Sequence, residues 1–188
     1  MTDQRSAIVA RIVQFPFTRL ILGIGTLAGV LAAASAIARA IDPQRGSLAA
    51  IAVATLVAAM AIGGYLAFTM FIERRGNVEF ALPGALRELG VGLLLGFGLF
   101  SAVVAVIAAL GGYQVIGTRD ASVLAGGVAL SITSGVVEEI LLRGLIFRLI
   151  EEWLGSWAAL VLSAALFGAA HLGNDNASLL AGAAIALE

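Results

Sequence analysis

Residues 123–150 read VLAGGVALSITSGVVEEILLRGLIFRLI. This run is longer than the roughly 20 mostly apolar residues a helix needs to cross the hydrocarbon core of a bilayer. It is interrupted only by Glu138, Glu139, Arg143 and Arg148. Working outward, the run at 20–38 follows Arg19. The run at 48–72 lies between Asp42, Pro43 and Arg45 on one side and Glu73-Arg74-Arg75 on the other, and a further run covers 90–110. Downstream, 156–171 is short as a span but could begin at Trp153. Residues 178–187 are apolar again; ten residues cannot cross, so the sequence is expected to continue beyond Glu188. The expected fold is all-α, a polytopic transmembrane helix bundle with five complete spans plus the start of a sixth. It forms a single integral membrane domain over 1–188.

Composition agrees. Of the 188 residues 61% are hydrophobic and 12% charged, with mean hydropathy +1.04. Soluble domains average about 45–50% apolar and about 25% charged. A soluble chain of this length needs a polar shell that this composition cannot supply. The absence of cysteine excludes a disulfide scaffold, and a net charge of −1 gives no basic footprint for nucleic acid. Membrane lipid is the expected surrounding. All 11 basic residues are arginine in an Ala- and Gly-rich chain, which reads as GC-rich coding and suggests a bacterial plasma membrane.

The first apolar run is longer than the 7–15 residues usual for a cleaved signal peptide, although Ala38-Arg39-Ala40 mimics a cleavage site. Residues 5–17, with Arg5, Ile8, Val9, Arg11, Ile12, Val13, Phe15 and Phe17, form a short basic amphipathic stretch. Segment 1–19 is therefore expected to be cytoplasmic or interfacial. Arg5, Arg11, Arg19, Arg74, Arg75, Arg87 and Arg148 fall on one side of the expected topology; Arg39, Arg45 and Arg119 fall on the other. The excess of arginine on cytoplasmic loops places the N-terminus in the cytoplasm, with Trp153 and Trp157 at that interface.

Ionisable groups at membrane depth cost at least about 2.5–3.5 kcal/mol each on insertion scales and mark functional sites. Glu138, Glu139 and Arg143 are expected to face the bundle interior or a water-filled cavity. Glu139 and Arg143 stand four residues apart and can pair, which on its own reads equally well as a structural bridge locking the helix into its neighbours. Glu138 is rotated about 100° away, over Ser134 and Ser131, and has no local partner. That is a usual situation for a general base.

The single histidine, His171, shares a helix face with Phe167 and Ser163, while Gly168 thins the helix nearby. Taken alone, a histidine near a helix end is as readily an interfacial residue. A short loop at 151–155 makes its helix the antiparallel neighbour of the one carrying Glu138. Counting from that loop at ~1.5 Å per residue, Glu138 and His171 differ in depth by only ~6 Å. A carboxylate and an imidazole are thus expected to converge.

Glu138-Glu139-x-x-x-Arg143-Gly144 followed by Phe167-x-x-x-His171-Leu172-Gly173-Asn174 resembles the CPBP (Abi) family of intramembrane proteases, which includes the Rce1-like type II CaaX prenyl endopeptidases. The resemblance covers roughly 120–188, which it implies is an incomplete protease core. The family also carries an H-x-x-x-N/D motif on a later helix, and this sequence has none. The resemblance implies hydrolysis of a peptide or membrane-protein substrate by activated water. Glu138 would be the general base and His171 its partner, Glu139 and Arg143 would orient the helix, and Phe167 would pack behind the histidine. No cofactor is firmly implied. Should the reaction depend on a divalent metal, zinc would fall to Glu138, Glu139 and His171, an awkward set because adjacent glutamates diverge by about 100° and zinc usually takes three protein ligands plus water. HExxH, GxSxG and paired aspartates are all missing. Two other readings compete: a non-catalytic membrane protein of the same fold, serving bacteriocin immunity or surface-protein display, and a proton-coupled transporter with a Glu138–His171 relay.

Overall fold

The computed structural model describes residues 2–76, 78–175 and 177–187. Its helices are α1 (Thr2–Val13), α2 (Pro16–Ile41), α3 (Leu48–Ala67), α4 (Ala85–Ala109), α5 (Ser122–Glu139), α6 (Arg148–Leu154), α7 (Ser156–His171) and α8 (Leu179–Ala186). No strand occurs among the described residues. Two π-helical stretches, Phe68–Glu73 and Ile140–Phe147, extend α3 and join α5 to α6.

Local chemistry explains the starts. Pro16 opens α2 at a position whose amide would have no helical partner. The Ser47 and Ser178 hydroxyls accept from the amides of Ala50 and Ala181, each at 3.1 Å, capping α3 and α8.

Four continuous helical runs are long and apolar enough to cross a membrane: Pro16–Ile41, Leu48–Glu73, Ala85–Ala109 and Ser122–Leu154. The 16-residue α7 is shorter, about 24 Å against a core of about 30 Å. It also cannot be lengthened back to Trp153, which lies on α6 across the turn at Gly155. That part of the sequence-based expectation is corrected: the break at 155 keeps Trp153 out of the fifth helix.

Contacts divide the chain into two units. One holds residues 76–121 and consists chiefly of α4, with a single 3-10 turn at Val78–Phe80. The other joins 1–75 to 122–188. Its core gathers Leu27, Ala61, Tyr65, Phe68, Ile140, Leu145 and Leu149 from α2, α3, both π stretches and α6. Ala54, Ala58, Ala61 and Tyr65 are all buried and form the inner stripe of α3. Small residues of this kind let helix backbones approach closely where lipid offers no hydrophobic drive for association. A second cluster, Ile146, Ile150 and Ala159, joins the second π stretch and α6 to α7.

The N-terminal segment is fastened to the same end as the α6–α7 turn. The Gln14 amide donates to the Ile72 carbonyl at 2.7 Å. The rings of Phe15 and Phe17 lie 5.8 and 5.7 Å from that of Trp153.

Candidate active site

Glu138 and Glu139 are the last two residues of α5, at the point where the helix widens into its π stretch. Such insertions occur often at functional sites. Glu139 pairs with Arg143, as the four-residue spacing predicts. The pair does not lie in the packed interior: the Glu139 side chain is 58% exposed and that of Arg143 72%. Both line an open cleft of about 380 Å³ whose apolar walls include Leu142, Phe147, Leu160 and Phe167. Of the two environments expected from the sequence, interior or cavity, the pair occupies the cavity, because the helix packs through Ile140, Leu145, Ile146 and Leu149 instead.

Glu138 is half-buried and borders this cleft and a second one of about 440 Å³. The second is lined by Glu138, Leu141, Leu142, Phe167, His171 and Asn174, among others. The structure thus brings Glu138 and His171 to one cleft, with Phe167 common to both clefts.

His171 ends α7 and is half-buried. Its Nδ1 lies 2.9 Å from the Phe167 carbonyl oxygen. A carbonyl only accepts, so Nδ1 carries the proton in this contact and the neutral ring leaves its lone pair on Nε2. The Phe167 and His171 rings meet edge to face with centroids 4.5 Å apart. Gly168 does thin α7, but the thin side serves packing. A β-carbon there would collide with the Gly182 carbonyl oxygen of α8.

Among the described residues, no three His, Asp or Glu side chains are gathered closely enough to hold a metal ion.

Sequence reading missed a cluster beneath the site. Glu73, treated only as a charge flanking the second span, has a fully buried side chain. Its Oε1 and Oε2 accept from Arg148 Nη2 at 2.9 and 2.8 Å, and Oε2 accepts from Arg75 Nε at 2.8 Å. Arg19 Nη1 stands 3.5 Å from Oε1, and Arg19 also pairs with Glu152. Arg148 Nε donates to the Gly144 carbonyl at 2.8 Å, which also accepts from the Tyr65 hydroxyl at 3.2 Å. A side chain at Gly144 would press on the Tyr65 ring at 3.0 Å. The available signal was a glutamate amid arginines (Arg74, Arg75) at a span end, but nothing in its spacing names partners 54 and 75 residues away.

Residues 120–187, a little over a third of the chain, match the family model described as Rce1-like, type II CAAX prenyl endopeptidase Rce1-like. No curated protein and no solved structure matches the chain.

Proposed function

From the Rce1-like character of residues 120–187, we propose that this protein is an intramembrane endopeptidase of the CaaX-protease type. Glu138 takes a proton from water as that water attacks the scissile carbonyl. His171 Nε2 accepts a hydrogen bond from the same water and orients it. The tetrahedral intermediate collapses with cleavage of the C–N bond, and the proton held by Glu138 passes to the leaving amine. Glu139 and Arg143 neutralise each other on the flank of the cleft, leaving Glu138 as the carboxylate without a counter-charge. The observation that carries this reading is that Glu138 and His171 line one cleft. Its leucine and phenylalanine walls suit an apolar segment of a peptide or membrane-protein substrate.

In the membrane, α7 crosses as the fifth span with its flanking residues, in bilayer thinned locally to its length. Its partner α8 packs against it through Gly182 and Ala186. The N-terminus is cytoplasmic. The meeting of Arg19, Arg75 and Arg148 at Glu73 supports this, since it gathers arginines from three separate segments at one end.

The test is cleavage of membrane-peptide reporters by the purified protein in liposomes. Wild type should cut, and Glu138→Gln should lower the rate by at least ~10². Equal rates would overturn the assignment of the base. Proton-coupled uptake lost in Glu138→Gln, with no cleavage in wild type, would favour a transporter instead.

A further inference from the structure

The π stretch Ile140–Phe147 sets the rotation of α5 against α6 and α7. A π turn holds more residues than an α turn, so a helix that contains one is rotated relative to its uninterrupted form. If the stretch relaxed to regular α-helix, the two flanking segments would turn relative to each other by about one residue, roughly 100°. Glu138 is the penultimate residue of α5, and His171 is carried by α7 beyond the stretch. The meeting of these two residues at one cleft therefore depends on the π register.

That register is held from outside the helix. At its end the Arg148 backbone amide donates to Leu145 oxygen. The carbonyl of Gly144, four residues before Arg148, accepts from two side chains, Arg148 Nε and the Tyr65 hydroxyl. Arg148 is itself aimed by the buried carboxylate of Glu73, which takes both contacts from Nη2. Tyr65 is aimed by Arg75, whose Nη2 donates to its hydroxyl at 2.9 Å and whose Nε is fixed on the same Glu73. Both routes to the Gly144 carbonyl begin at Glu73.

We propose that Glu73 is a positioning residue: its pairs with Arg148 and Arg75 maintain the π-helical register of 140–147, and that register brings Glu138 to the cleft it shares with His171. This rests on the endopeptidase reading for its catalytic consequence, but not for its structural one. Glu73 lines neither cleft and has no part in the chemistry.

The sequence has no cysteine, so two can be introduced as unique spin-label sites. Ser131→Cys on α5 and Trp157→Cys on α7 bracket the stretch, and both positions are exposed. Trp157→Cys with Leu166→Cys lies within α7 and serves as the control. In Glu73→Gln the 131–157 distance should shift or broaden by about 5 Å, given a helix diameter of 10–12 Å, while the control pair stays fixed. Glu73→Asp should restore most of the wild-type distribution. On a reporter peptide, Glu73→Gln should lower kcat about 10²-fold with KM nearly unchanged, since the catalytic groups are misplaced and the apolar walls remain. Should Glu73→Gln fail to fold, Arg148→Lys decides. It keeps the charge at Glu73 but removes the guanidinium Nε–H that reaches Gly144, and it should produce the same 131–157 shift. A folded Glu73→Gln or Arg148→Lys with an unchanged 131–157 distance overturns the proposal. Absence of cleavage by every form, wild type included, would remove the endopeptidase reading while the distances still decide the role of Glu73.

Discussion

The His171 imidazole is held by one residue in two ways: the Phe167 carbonyl oxygen lies 2.9 Å from Nδ1, and the Phe167 ring meets the imidazole edge to face at 4.5 Å. The first contact chooses the tautomer and the second restricts rotation of the ring. Together they leave Nε2 as the basic nitrogen beside a cleft that Glu138 also borders.

Removing that ring should be severe. His171→Ala is expected to lower reporter cleavage by at least ~10² while leaving the melting temperature in detergent close to wild type, because the half-buried imidazole's hydrogen bond is to its own helix. Cleavage retained within a few-fold would remove His171 from the mechanism.

Phe167→Leu should be milder. The backbone carbonyl that fixes the tautomer survives, and only the ring contact is lost. Aromatic pairs contribute about 0.5–1.5 kcal/mol, so kcat should fall about two- to tenfold. A loss as large as that of His171→Ala would mean that Phe167 does more than steady the ring, for instance by seating substrate in the clefts it shares.

The burial of the two ion pairs predicts opposite stability effects. From the sequence, Glu139–Arg143 reads equally well as a structural bridge locking the helix into its neighbours. Its exposure moves that role to Glu73–Arg148. Arg143→Ala should cost about 1 kcal/mol or less, as exposed pairs do. Arg148→Ala, which strands a fully buried carboxylate, should cost about 3–5 kcal/mol. Thermal melts of the two purified variants, compared side by side, check the ranking; Arg143→Ala melting lower than Arg148→Ala would contradict it.

What the sequence showed and what it hid divide along range. Helix content, the Glu139–Arg143 pair and the neighbouring placement of the Glu138 and His171 helices follow from periodicity, i,i+4 spacing and a short loop, all local. The π stretch was not legible, because its residues, Ile140–Phe147, are as good an α-helical sequence as their neighbours. Its stabilising partners, Glu73 and Tyr65, lie on another helix. For the same reason the exposure of Glu139 could not be read: which flank of a helix is covered depends on which helices arrive. Gly144 was noticed as part of a motif, yet its reason, contact with the Tyr65 ring, is a tertiary one.

The packing of α7 on α8 gives a last prediction. Gly168 and Gly182 face each other so closely that a β-carbon at 168 would strike the Gly182 carbonyl oxygen, and Ala186 lies next to the same point. Small residues at such a crossing let two backbones touch, which is how helices associate where surrounding lipid is as apolar as they are. Gly168→Leu would force α8 away from α7. The cost should be about 1–3 kcal/mol, as for overpacking elsewhere, and it should fall on this contact without touching Glu138 or the His171 ring. Ile185, Ala186 and Leu187 form part of the wall of the cleft bordered by Glu138 and Glu139, so that wall would open. Backbone hydrogen exchange over 179–186 should rise by an order of magnitude or more, at about 1.4 kcal/mol per tenfold change, while exchange in α2 and α3 stays as in wild type. Reporter cleavage should fall with it, mainly through KM, because what is lost is a binding wall and not a proton acceptor. Unchanged exchange in α8 would show that the helix can slide to accommodate a side chain, and would remove the Gly168–Gly182 contact as the determinant of that wall.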